Sequence, residues 1–263
     1  IYSSPATLAF NSPGAEGFGV KRAGLAVPDS VMLIVSPGCC GRNTSVLSSM
    51  RAYQDRFYYL LMDETDIVTG RHLKKIPKAV AEICEGLKKK PSVVMICITC
   101  VDALLGTDME RVCHKAEEYA GVPVRPCYMY ALTREGRKPP MVHVRQSVYS
   151  LLEPKKKKGN VVNLLGYFSP LTDDCELYDL LHGAGVKTIH EISRCKDYAQ
   201  YQTMSEANFN LVLHPEARFA AEDFHDRLKI PYIELRRLYQ IDKIASQYRA
   251  CLLYTSPSPR DTR

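Results

Sequence analysis

The chain has 263 residues, 46% hydrophobic and 24% charged, which is ordinary globular material with room for two α/β domains. Its formal net charge of +6 is concentrated in compact runs, Lys88–Lys90 and Lys155–Lys158, without interleaved aromatics; these read as solvated linkers and exclude a nucleic-acid face. No apolar run reaches the roughly 18 residues of a membrane span, and ten cysteines without a short-spaced framework point to a reducing compartment, the cytoplasm, where thiols serve metals or chemistry.

In chain order, "NSPGAEGFGVKRAG" carries glycines at 14, 17 and 19, but no buried strand precedes it and no G-K-[ST] follows, so it is no nucleotide cradle. The apolar run "VMLIVS" then predicts a strand buried on both faces, ending in Pro37, Gly38, Cys39, Cys40 and Gly41. A helix over Val46–Arg56 leads to the strand "FYYLLM", and a helix over Leu73–Leu87 to the strand "SVVMICI". That strand delivers Cys97 and Cys100 to its carboxyl end; alternation sends them to opposite faces, so their C-x-x-C spacing is not a redox dithiol and Cys97 belongs to the core. A helix over Met109–Tyr119, the strand "PVRPCYMY" and a helix over Val142–Leu152 follow.

The segment "EPKKKKGN" breaks this rhythm, and a second series begins with strand "VVNLLGYF", helix "DCELYDLLHGAG", strands "VKTIHEIS" and "FNLVLH", helix "ARFAAEDFHDRL" and strand "PYIEL". Alternating strands and helices predict α/β architecture: consecutive Rossmann-like domains whose parallel sheets are flanked by helices. The expected division is a first domain at 1–154, a linker at 155–159 and a second domain, incomplete, at 160–250. From Cys251 the string "CLLYTSPSPRDTR" abandons the helical pattern of "YQIDKIASQYRA"; it resembles translated adapter sequence and is expected to be a non-native tail at 251–263.

Ligands in open α/β sheets collect outside the carboxyl ends of strands. Two strands ending near Cys40 and Cys100 share one such edge, the geometry a thiolate-bound metal centre requires, and Gly41 lets the backbone approach a bulky group.

The patterns "SPGCCG", "DETDIVTG" and "TCVDALLGTDMERV" resemble component 1 of the nitrogenase superfamily, which includes the molybdenum-iron protein and dark-operative protochlorophyllide reductase. The resemblance covers most of residues 10–250. The family's P-x-x-C-G turn is matched by Pro37, Cys40 and Gly41, its C-x5-G-x-D by Cys100, Gly106 and Asp108, and its E-x-D-x-V-x-G by Glu64, Asp66, Val68 and Gly70. "NLLG" at Asn163–Gly166 and "ELYDLLHGAGV" fit its second Rossmann-like unit.

The resemblance implies an iron–sulfur cluster, of the 4Fe-4S kind, with Cys40 and Cys100 as metal ligands and Cys39 as the non-ligating neighbour whose role a one-residue shift would exchange with that of Cys40. The upstream cysteine that gives nitrogenase subunits a third ligand is missing from "NSPGAEGFGVKRAG", so two chains, a homodimer or a paralogous pair, would supply four thiolates. His214 stands where the nitrogenase α subunit has its cofactor cysteine, which makes dinitrogen an improbable substrate. His214 itself is a catalytic candidate on the substrate side, against the commoner reading of a hydrogen-bonded structural histidine. ATP would belong to a partner, a separate iron–sulfur reductase that delivers low-potential electrons. Asp108 reads as a helix-terminus residue. The leading expectation is therefore a component 1 type oxidoreductase acting on a small substrate. The alternatives are a non-catalytic cofactor-assembly scaffold of the same superfamily, binding a metal cluster or tetrapyrrole, and a structural zinc site at the same thiols.

Overall fold

The structure, a computed structural model, describes residues 15–38, 40, 48–129, 138–236 and 238–255. By internal contacts the chain divides into two units, Ile1–Leu151 and Leu152–Arg263.

In chain order the first unit contains α1 (Ala15–Gly24), β1 (Val31–Ser36), β2 (Phe57–Leu61), α2 (Glu64–Thr69), α3 (Arg71–Gly86), β3 (Val94–Ile98), α4 (Cys100–Leu105), α5 (Met109–Ala120), β4 (Val124–Tyr128) and α6 (Pro140–Tyr149). All its pairings are parallel, in the order β2-β1-β3-β4. Alternation along the strands divides the core into two faces. Leu33, Val35, Ile96 and Ile98 face Ile76, Val80 and Ile83 of α3 and Met109, Cys113 and Ala116 of α5. Met32, Met95 and Cys127 face α1, packed so closely that a Cβ added at Gly24 would lie 2.7 Å from Met32 Cε and 3.3 Å from Cys127 Sγ. Pro126 is confined to β4, at the sheet's edge, where a missing N–H costs least.

The helix expected over Val46–Arg56 is corrected where the structure describes it: a 3₁₀ turn, Arg51–Tyr53, lies between extended Met50 and Gln54. Arg56 supplies the reason. Asp55 takes a φ of 59°, and the Arg56 guanidinium turns inward to donate to Ser30 O at 2.9 Å, Leu25 O at 2.8 Å and Ser30 Oγ at 2.8 Å. These tertiary bonds hold the end of the segment out of a helix.

The E-x-D-x-V-x-G element has a local mechanical role. Asp63 and Asp66 form a reciprocal capping box that starts α2, with Asp66 N donating to Asp63 Oδ1 at 2.6 Å. Gly70, at φ 65°, ends α2 in the left-handed region and opens α3. Buried Asp66 also accepts from Arg71 Nε and Lys75 Nζ, each at 2.7 Å. Hydrogen bonds from Lys75 and then Arg71 hold its carboxyl well below the usual carboxylate range.

The second unit contains β5 (Val161–Leu165), α7 (Glu176–Gly183), β6 (Thr188–His190), α8 (Tyr198–Gln202), β7 (Phe209–Val212), α9 (Arg218–Leu228), β8 (Tyr232–Glu234) and α10 (Ile241–Thr255). Its sheet is again parallel, in the order β6-β5-β7-β8. Val162, Leu164, Phe209 and Leu211 pack with Leu177, Leu181 and Val186. α10 runs five residues into the segment expected to be a tail, and Cys251 is buried in this core. Asn163 and Asn210, opposite each other in register, are joined by a buried bond from Asn163 Nδ2 to Asn210 Oδ1 at 2.8 Å. Lys157 and Lys158, expected to lie in a solvated linker, are fastened to this unit: Lys157 Nζ donates to Ser205 O at 2.6 Å, and Lys158 pairs with Glu206.

Candidate metal centre

β1 and β3 are neighbours whose register runs to Val35 opposite Ile98, so both chains leave the sheet at one carboxyl edge. Cys40 follows the first, half-buried, with its N–H donating to Pro37 O at 3.1 Å. Cys100 follows the second as the exposed first residue of α4. Cys39 and Gly41 lie outside the described residues. Among the described residues no group of three or more His, Cys, Asp or Glu side chains is arranged to hold a metal ion.

Cys97 and Cys127 sit opposite each other in register, both fully buried, and the Cys127 thiol donates to Val20 O at 3.5 Å. Burial pushes the Cys127 thiol well above the ordinary value, and Cys84 and Cys113 are pushed up for the same reason. Low thiolate character makes these three core hydrophobes rather than ligands.

Three further features of this edge give no sequence signal beyond burial on an alternating face. Ser36 Oγ and Thr99 Oγ1 are buried without a hydrogen-bond partner among the described residues. Lys21 of α1 is only 2% exposed; burial lowers its pKa, while Cys97, Cys40 and Cys127 pull it back up. Finally, His72 of α3 and Asp102 of α4 form a fully buried pair, Nε2 to Oδ1 at 2.9 Å, which ties the helix beginning at Cys100 to the body of the unit.

Gly106, at φ 69°, ends α4. Asp108 caps α5 by accepting from Arg111 N at 3.1 Å, the helix-terminus role expected of it. The C-x5-G-x-D spacing thus combines one thiol with the turn and cap needed to begin the next helix.

His214 belongs to the second unit, where it follows β7. Its Nδ1 accepts from Glu216 N at 3.3 Å and lies 3.6 Å from the Glu216 carboxylate, capping the 3₁₀ turn Pro215–Ala217. Tyr167 meets the ring edge-on at 5.7 Å, and Gly166 passes so close that an added Cβ would be 2.7 Å from His214 N. A charged network missed by sequence reading adjoins β6: buried Glu191 accepts from Tyr178 OH, from Leu171 N at 3.0 Å and from Arg194 Nε at 3.1 Å. Burial first, and then Glu191, push the Tyr178 phenol up to about 12.

Thiolates are the soft ligands that iron–sulfur clusters use, and buried hydroxyls lacking partners suit a site whose acceptors are sulfur atoms. The residues present fit such a group.

Comparison with known proteins gives a consistent result. Residues 16–257 match the family described as nitrogenase component 1 type oxidoreductase. The chain is 27% identical over 225 residues to the nitrogenase iron-molybdenum cofactor biosynthesis protein NifE of Nostoc sp., covering 82% of this chain and 46% of that protein. It is 27% identical over 265 residues to NifE of Rhodobacter capsulatus, covering 95% and 55%. The chain therefore spans about half the length of these curated relatives. Among solved structures, nitrogenase Cp1 at pH 6.5 matches with a TM-score of 0.65 at 17% identity, covering 91% of this chain and 58% of that one, a likeness of fold.

Proposed function

Because the chain belongs to the nitrogenase component 1 type oxidoreductase family, we propose that it works as a cofactor-assembly scaffold, holding a metal–sulfur cluster without turning over a substrate. The observation that carries this reading is the name shared by its curated relatives, that of a cofactor biosynthesis protein. The expectation of an electron-accepting reductase becomes the second reading, supported by the family description as an oxidoreductase.

In both readings Cys40 and Cys100 hold an iron–sulfur cluster, 4Fe-4S by the count of four thiolates from two chains. A bound cluster would supply reversible one-electron storage and a template of bridging sulfides. The chain's part is to present two thiolates on one strand edge, to anchor the Cys100 helix through His72–Asp102, and to surround the site with core. The partner chain would be a second copy or a paralogous subunit. An ATP-dependent iron–sulfur reductase is a partner only in the second reading, and a catalytic role for His214 belongs there too. Among the described residues no helix is long and apolar enough to cross a membrane, in keeping with the proposed cytoplasmic setting.

The test begins with anaerobic reconstitution by ferrous iron and sulfide. Cys40→Ser and Cys100→Ser should abolish bound iron and acid-labile sulfide, whereas Cys84→Ser and Cys175→Ser should retain both. A full cluster in either of the first two variants overturns the ligand assignment. The scaffold reading further expects the cluster to move to an apo iron–sulfur acceptor protein. A cluster that stays bound while cycling with an ATP-dependent donor supports the reductase reading instead.

A further inference from the structure

Alternation along β1 places Ser36 on the side of Met32 and Ile34, and alternation along β3 places Thr99 on the side of Met95 and Cys97. This is the face covered by α1. Because Val35 and Ile98 are register partners, Ser36 and Thr99 leave the sheet side by side. They are 0% and 1% exposed, and neither hydroxyl has a hydrogen-bond partner among the described residues. Two adjacent orphans at one strand edge are unusual, since a buried polar atom without a partner costs about 1–3 kcal/mol. Thr99 directly precedes Cys100, and Ser36 precedes the turn that carries Cys40. Buried Lys21 lies on α1, which covers the same face, and Cys40 is among the thiols that bear on it.

We propose that Ser36 Oγ–H and Thr99 Oγ1–H donate hydrogen bonds to sulfur atoms of the cluster held at Cys40 and Cys100, and so set its reduction potential. The proposal rests on the cluster reading above. Its sign follows from electrostatics: one-electron reduction adds negative charge to the sulfurs, so donors stabilise the reduced form and raise the potential. No atoms are exchanged in this role; the hydroxyl protons remain on oxygen.

The experiment uses the chain reconstituted with ferrous iron and sulfide, comparing wild type with Ser36→Ala, Thr99→Val and Thr99→Ser. Iron and sulfide content are measured beside an EPR-monitored potential titration, and thermal unfolding of the metal-free proteins is recorded. Thr99→Val and Ser36→Ala should keep the cluster but lower the reduced-to-oxidised ratio at fixed potential about tenfold each, about 59 mV for one electron. Thr99→Ser, which keeps the hydroxyl, should stay within threefold of wild type. In the metal-free chain Thr99→Val should unfold no earlier than wild type, because it removes an orphan. An unchanged potential in both hydroxyl-deleted variants with full clusters overturns the proposal while leaving the cluster reading intact. Failure of the wild-type chain to take up iron and sulfide overturns both.

Discussion

His72→Leu isolates a fully buried contact of the first unit. In the wild type each ring nitrogen faces an oxygen acceptor, Nδ1 the Asp66 carbonyl at 3.0 Å and Nε2 the Asp102 carboxylate at 2.9 Å, and both side chains of the pair are 0% exposed. With the imidazole gone, Asp102 keeps only Thr107 Oγ1, which donates to Oδ1 at 3.1 Å, while Oδ2 already lacks a partner among the described residues. Removing one member of a buried pair costs about 3–5 kcal/mol. At about 2–4 °C per kcal/mol for a domain of this size, that is a Tm lower by about 10 °C. The double variant His72→Leu with Asp102→Leu removes the stranded carboxyl group as well and should recover much of the loss, because an apolar pair of similar volume is often as stable as a buried polar pair. Urea unfolding of the two single variants and the double variant forms a cycle that measures the coupling. A His72→Leu loss below about 1 kcal/mol, or a double variant as unstable as the two singles added together, refutes the assignment of the pair as the α3–α4 tie.

Gly166→Ala should lower stability by about 2–4 kcal/mol, because φ is 138° and the new Cβ would sit 2.7 Å from His214 N and 2.8 Å from His214 Cβ; an unchanged unfolding midpoint would refute this close β5–β7 approach. His143, whose Nδ1 lies 3.3 Å from Ser147 Oγ, is held down to about 4 first by burial and then by Lys138. The folded value lies below the unfolded 6.5, so its contribution is complete above pH 6.5 and is lost as pH falls toward 4, by about 3 kcal/mol at most. His143→Gln should flatten that part of the stability profile, and equal pH slopes for variant and wild type would show that His143 is not its source.

Strands were legible because parallel sheets bury them on both faces, and "VMLIVS" coincides with β1 residue for residue. Cys97 could be placed in the core by alternation alone, and it is fully buried. Other elements escaped sequence reading for separate physical reasons. α2 and α4 are too short to show a helical period, and their signals are the Asp63–Asp66 cap and the left-handed Gly70 and Gly106. α1 starts within a glycine-bearing stretch whose propensity argues against a helix, yet it is held by packing on Met32 and Cys127. Arg56 looks like a solvent-facing helical residue until its four acceptors, the carbonyls of Leu25, Val27 and Ser30 and the Ser30 hydroxyl, are seen. The thiols could be named from motif spacing, but Ser36, Thr99 and Lys21 could not: alternation shows the face a side chain takes and gives no account of what it meets there.

The same edge bears on why thiols, and not carboxylates, are the ligands proposed for it. Asp66 of α2, Asp102 of α4 and Asp108 at the start of α5 are each engaged in holding the fold. Asp66 accepts from Arg71, Lys75 and its own capping box; Asp102 holds His72 and Thr107; Asp108 caps α5. A hard cation such as Mg²⁺ or Ca²⁺ needs several free oxygen ligands, and recruiting these carboxylates would break α2, the α3–α4 tie or the start of α5. Cys100 takes part in none of these bonds, and thiolates prefer soft metals to hard cations. Zinc and an iron–sulfur cluster share that preference. What would separate them is the pair of buried hydroxyls: zinc bound by thiolates alone would leave Ser36 and Thr99 only the ligand sulfurs as acceptors, whereas a cluster held by Cys40 and Cys100 would supply inorganic sulfides as further acceptors. Equal affinity of wild type and Thr99→Val for zinc, together with unequal cluster potentials, is the pattern this reasoning requires.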